Sequence, residues 1–178
     1  MKEVEEMSEN LIVYFSRHGE NYVNGQVKNL EVGNSEVAAN IIHSLIDSDM
    51  FQIETVHEYA TDYRQCTIEA KEELERSARP KILDYVHQFS SYDNIFVCYP
   101  NWWSTMPMAL FTFFECHDTK GKNIIPLCTH EGSGMGRSEK DLQVLCPEAH
   151  IFKGLAIQGS QVSDSKTKIE KWLKDLNL

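Results

Sequence analysis

The chain has 178 residues, 42% hydrophobic and 25% charged, which suits one globular domain with a sizeable core. A formal net charge of −10 argues against nucleic acid or an anionic membrane as partner, since both require clustered Lys and Arg. No apolar run is long enough to span a membrane, and the five cysteines show no C-x-x-C pair or metal spacing, the pattern of reduced thiols in the cytoplasm.

Residues 1–9 are acidic, lack the apolar core of a secretory signal, and read as a flexible lead-in to a single domain spanning 1–178. Leu11-Ile12-Val13-Tyr14-Phe15 is continuously apolar and β-prone, the mark of a strand covered on both faces. A long polar loop follows from Ser16 to Gly33. A helix opens near Asn34 and Ser35, both good N-cap types, with Val37, Ile41, Ile42, Leu45 and Ile46 at helical spacing. Met50–Thr55 is a second strand. Cys66, Ala70, Leu74 and Ala78 recur among charges as the stripe of a surface helix ended by Pro80. Ile95–Tyr99 is the third strand, and Met108–Glu115 a very apolar helix behind Pro107, which sits at a permitted first-turn position. Asn123–Cys128 gives the fourth strand, Ser138–Leu145 a short helix, and His150–Ile157 the fifth strand. Cys98 and Cys128, inside strand runs, read as small buried hydrophobes. The last helix, from about Ser163, places Ile169, Trp172, Leu173 and Leu176 on one face. Five strands alternating with helices imply a mostly parallel sheet with right-handed crossovers.

Ligands of such a sheet bind outside the carboxyl ends of its strands, so the segments after the strands carry the functional information. After the first strand comes Ser16-Arg17-His18-Gly19-Glu20-Asn21-Tyr22, and the loop closes at Gly33-Asn34-Ser35. Glycine allows close backbone approach, and a helix N-terminus offers unpaired N–H groups, a chemistry suited to a phosphate monoester; a polar loop with an ordinary N-cap is the plainer alternative. After the third strand comes Pro100-Asn101-Trp102-Trp103-Ser104-Thr105-Met106-Pro107. Two adjacent tryptophans between prolines suit a flat aromatic ligand lying against one ring, the alternative being one buried Trp and one at a dimer interface. After the fourth strand, Thr129-His130-Glu131-Gly132-Ser133-Gly134-Met135-Gly136 places three glycines at alternate positions, a loop whose amides can approach a heterocycle edge.

These stretches resemble the flavodoxin family, specifically bacterial flavodoxin-like proteins with a long first loop. The match is carried by Tyr14-Phe15-Ser16-Arg17 with Gly33-Asn34-Ser35-Glu36-Val37-Ala38, by Tyr99 through Met108, and by Gly121 through Pro126 running into Thr129–Gly134. The resemblance implies an α/β three-layer sandwich with a five-stranded parallel sheet in the order 2-1-3-4-5 and tight, non-covalent FMN. It implies Ser16, His18, Asn34 and Ser35 in the phosphate loop with Asn21 and Gly33 beside them. Pro100, Asn101, Trp102, Trp103 and Thr105 fall on one side of the isoalloxazine, and Thr129, Glu131, Gly132, Ser133 and Gly134 on its other edge. The compact phosphate loop of typical flavodoxins is split here by an insertion from Glu20 to Val32. The Glu131 loop also lacks the aromatic residue that commonly covers the outer face of the ring.

Two function classes follow from the resemblance. One is an electron-transfer protein that docks on redox partners. The other is an FMN-dependent NAD(P)H oxidoreductase acting on quinone-like acceptors, in which the open ring face takes substrate and the apolar Met108–Phe114 helix pairs with a second subunit. A non-redox FMN-binding scaffold is a third reading. The ring loops contain no basic side chain before Arg137, so a low reduction potential is expected. Arg17 is read as pointing to solvent and His18 as a donor to the phosphate. His130 is the one side chain in those loops suited to deliver a proton near neutral pH, the plainer reading being a loop histidine satisfied by its neighbours.

Overall fold

Each buried-strand pattern forms a strand of one parallel sheet in the computed structural model, which describes residues 9–178; apart from Glu9, the acidic lead-in lies outside the described residues. In chain order the elements are β1 (Asn10–Tyr14), β2 (Gly19–Val23), β3 (Gln26–Leu30), α1 (Asn34–Leu45), β4 (Asp49–Gln52), α2 (Tyr63–Glu75), β5 (Asn94–Pro100), α3 (Met108–Glu115), β6 (Asn123–His130), α4 (Ser138–Leu145), β7 (His150–Ile151), β8 (Leu155–Gln158) and α5 (Lys166–Asp175). The main sheet runs β4-β1-β5-β6, with β7 and β8 both beyond β6 and every pairing parallel. With β7 and β8 taken as one interrupted strand, this is the expected order 2-1-3-4-5.

The central strands β1, β5 and β6 are buried on both faces, as their unbroken apolar runs require. On one face Leu11, Val13, Ile95, Val97 and Ile124 pack with Ala109, Leu110 and Phe113 of α3 and Leu142 of α4. On the other, Ile12, Phe96, Ile125 and Leu127 meet Ala38, Ala39 and Ile42 of α1 and Ile169 of α5. Cys98 and Cys128 are fully buried within these layers. No helix of the described residues is long and apolar enough to cross a membrane.

Three expectations are corrected. The polar loop from Ser16 to Gly33 contains an antiparallel hairpin, β2–β3. Its turn is Asn24-Gly25, both at positive φ (52° and 77°), the backbone a tight two-residue hairpin demands. The fifth strand is broken: Ile124 lies opposite Ile151 but Leu127 opposite Leu155, so β7–β8 carries one extra residue and bulges. Phe152 N–H donates to Ile124 O on that side (2.9 Å). Alternate strand residues face the same neighbour, so the donor that Pro126 lacks is missing where the bulge forms. Finally, α3 buries Met108, Ala109, Leu110, Thr112, Phe113 and Phe114 in the chain's own interior, so its apolarity serves the core rather than a second subunit.

Candidate functional site

Because β1, β5 and β6 are parallel, their carboxyl ends share one edge of the sheet, and the three unusual segments leave from it. Hydrogen bonds tie them together there. Asn101 N–H donates to Thr129 O (2.8 Å), and the Ser35 and Thr129 hydroxyls share a buried bond of 2.8 Å. The Asn101 carboxamide donates to Gly134 O (2.9 Å) and accepts from Ser104 N–H (2.9 Å), which staples the tryptophan segment to the glycine-rich one. Arg137 N–H donates to Ser104 O (2.7 Å), and a Cβ on Gly136 would collide with Ser104, so glycine is required at this crossing.

Helix α1 opens at Gly33, whose extended backbone (φ −67°, ψ 153°) presses so closely on Ser16 and Arg17 that a Cβ would collide with both. Ser16 Oγ accepts from Glu36 N–H (3.1 Å), and Gly33 O accepts from Val37 N–H (3.1 Å). The Asn34 and Ser35 N–H groups have no acceptor among the described residues. A twelve-residue helix thus presents two open donors and the positive end of its dipole to this edge.

Trp102 stands edge-on to Phe15 (5.1 Å) and Tyr59 (5.0 Å). Trp103 is 46% exposed, donates its indole N–H to Thr67 O (2.9 Å) and has Lys71 Nζ 5.3 Å from its ring centre. Trp103 and Ser104 both hold positive φ (55° and 71°), strain that a non-glycine pair keeps only where the surroundings over-determine it.

Three cavities meet at Arg17 and Trp102. One of about 120 Å³ lies at the α1 N-terminus and is lined by Asn21, Tyr22, Asn34, Ser35, Pro100, Asn101, Thr129, His130 and Glu131 among others. A second of about 480 Å³ runs along α2 beside Tyr63, Cys66, Thr67, Trp103 and Ser133. The third, about 570 Å³, lies toward β4 and is lined by Ser16, His18, Glu54, Glu58 and Tyr59. The structure therefore gathers most of the residues expected at a site. His18 faces the third cavity rather than the α1 N-terminus. Gly33, Thr105, Gly132 and Gly134 line none of the three: Gly33 is packed on Ser16, and Thr105 is buried with its hydroxyl on the Asp141 carboxylate. Gly132 and Gly134 hold positive φ (131° and 62°) with open space where a Cβ would stand. His130 Nδ1 accepts from Gly132 N–H (2.9 Å), and burial pushes its pKa below the ordinary imidazole value, favouring the neutral ring. The Glu131 carboxylate accepts from Asn24 N–H and Ser160 N–H (3.2 Å each).

Arg17 corrects the expectation that it points to solvent. It is half-buried, with Nε donating to Glu20 O (2.9 Å) and Nη2 to Thr61 O (2.8 Å), and among the described residues it is the one Lys or Arg lining any of the three cavities. Reading along the chain also missed Tyr63, Cys66 and Thr67. The small residues Cys66 and Ala70 of the α2 stripe were the available signal, since a helix face of small side chains leaves room against its neighbour.

A family model described as Flavodoxin matches residues 10–176. No curated protein matches the chain. Among solved structures, a candidate flavoprotein from Bacteroides eggerthii is 24% identical, covering 95% of this chain and 98% of its own, with a TM-score of 0.77. Another from Bacteroides uniformis is also 24% identical, over 95% and 99%, with a TM-score of 0.74. A flavoprotein from Lactobacillus acidophilus in complex with FMN is 15% identical, over 89% and 97%, with a TM-score of 0.63. At these identities the structural likeness is one of fold. The family match, spanning nearly the whole chain, is what assigns it: the protein belongs to the flavodoxin family.

Proposed function

We propose that the chain holds FMN along the contiguous 120 and 480 Å³ cavities and serves as an electron carrier between redox partners. The observation that carries this reading is the pair of open N–H donors at Asn34 and Ser35, in a space continuous with the aromatic wall of Trp102. The donor set fits the group. Backbone N–H groups at a helix N-terminus suit a phosphate monoester, Arg17 adds a cationic side chain in the wall of both cavities, and Trp102 offers apolar surface to a flat ring. When bound, FMN supplies the redox chemistry and the protein supplies binding, orientation and electrostatics. Asn34 and Ser35 bind through the backbone. The Asn101 staple fixes the tryptophan segment, and the glycine-rich segment brings Glu131 to the smaller cavity and Ser133 to the larger. Neutral His130, with Nδ1 engaged by Gly132, is left with its Nε2 proton to donate. Five thiols without a disulfide suit the reducing cytoplasm.

The test uses proline, which is favoured at the first helical position and removes only an N–H there; the extended Gly33 before it is compatible. Asn34→Pro is expected to weaken FMN about ten- to a hundredfold, as befits a lost bond to a charged group, while riboflavin affinity stays the same and Asn34→Ala keeps the donor. Equal loss for FMN and riboflavin would put the phosphate elsewhere. The 570 Å³ cavity across Trp102 favours a second reading, an FMN-dependent NAD(P)H oxidoreductase with a quinone-like acceptor. Anaerobic addition of NADPH to the yellow protein separates the two: prompt bleaching identifies the reductase, a persistent oxidised spectrum the carrier.

A further inference from the structure

The inserted hairpin β2–β3 is fixed at its base and only lightly held at its tip. At the base Arg17 bonds Glu20 O and Thr61 O, the Asn21 carboxamide donates to Arg17 O (2.9 Å), and Glu20 accepts from Tyr63 N–H (2.7 Å). Tyr22 stacks on Tyr63 with ring centres 6.2 Å apart. Toward the turn, Val23 is the hairpin's one buried side chain, Gln26 to Asn29 are exposed, and no hairpin residue belongs to either core cluster. An element with so little burial opens at low cost. The contact that reaches across from its tip to the sheet edge is Asn24 N–H to Glu131. The same carboxylate, through its other oxygen, accepts Ser160 N–H from the segment after β8. One side chain thereby joins the hairpin turn to the body of the protein.

Where this hairpin lies, the cavity at the α1 N-terminus is only about 120 Å³, below the 300–1,000 Å³ of ordinary small-molecule sites. Asn21 and Tyr22 of the hairpin form part of its wall. The geometry points to Glu131 as a positioning residue: it latches hairpin β2–β3 as a lid over the cofactor cavity, so that opening of the latch governs how fast cofactor enters and leaves. The lid role rests on the FMN reading above; the latch itself does not. The hairpin would also cover a site whose glycine-rich segment brings no aromatic side chain, with Tyr22 and Tyr63 in its place.

The test compares wild type with Glu131→Ala and Glu131→Gln, with Tyr22→Ala as a second way to loosen the hairpin. Hydrogen exchange over residues 19–30 is measured on the chain alone, and FMN release is followed by flavin fluorescence on the loaded protein. Glu131→Ala is expected to speed hairpin exchange and to release FMN about tenfold faster, the loss of a charge-assisted bond. Glu131→Gln, which keeps one acceptor oxygen, falls between, and Tyr22→Ala moves both readouts the same way. Unchanged hairpin exchange in Glu131→Ala overturns the latch. Faster exchange with unchanged FMN release overturns the lid. A wild-type chain that binds no FMN sinks the cofactor reading and the lid with it, while the exchange data still decide the latch.

Discussion

At the residue scale, the buried hydroxyl pair Ser35–Thr129 shows how one contact joins helix α1 to strand β6. Ser35→Ala leaves the Thr129 hydroxyl without that partner and is expected to cost about 1–3 kcal/mol, measurable by denaturant unfolding. Thr112 is the converse case: its buried hydroxyl has no hydrogen-bond partner among the described residues, so Thr112→Val, of the same shape, is expected to stabilise by about 1 kcal/mol in the same assay. Side-chain directions of this kind were the least legible part of the sequence. Asn34 and Ser35 announced a helix start by type, yet the hydroxyl that reaches a first-turn amide, that of Glu36, belongs to Ser16 on the far side of the hairpin. Arg17 and Thr105 turn toward Thr61 and Asp141, partners that only the folded chain brings within reach.

At the element scale, the strands and helices followed from apolar runs and periodicity, because burial on both faces leaves strands such as Ile95–Tyr99 no other pattern. Two interruptions escaped that logic. The Asn24-Gly25 pair was a readable turn signal, but the residues flanking it are too polar to announce strands. The bulge between β7 and β8 depends on Pro126, which acts across the sheet rather than along the chain. Gly154 sits in this bulge, where a Cβ would collide with Met135 and crowd Pro126. Gly154→Ala is therefore expected to destabilise by about 1–3 kcal/mol, lowering the thermal midpoint while leaving the order of the sheet unchanged.

At the scale of the whole molecule, charge and protonation set the response to solution conditions. His117 is half-buried and favoured neutral: its Nδ1 lies 2.7 Å from Phe113 O, its Nε2 accepts Val86 N–H (3.1 Å), and burial lowers its pKa from 6.5. The unfolded chain then binds the proton more readily, so stability is full above pH 6.5 and declines as pH falls toward the lowered native value. Denaturation at pH 8 and pH 5 should show this loss, and His117→Gln should reduce it. The net charge of −10 opposes added negative charge, so a redox titration is expected to place bound FMN below free FMN. Arg17→Gln should lower it further, by on the order of tens of millivolts, since it removes the one cation that lines the cavities among the described residues.

Trp102 lines both the space assigned to the cofactor and the 570 Å³ cavity toward β4, and its indole stands edge-on to the rings of Phe15 and Tyr59. Guests on opposite sides of a shared partition are not independent. Any tilt of that ring made by the first alters the room offered to the second, and by thermodynamic reciprocity the second alters the hold on the first to the same degree.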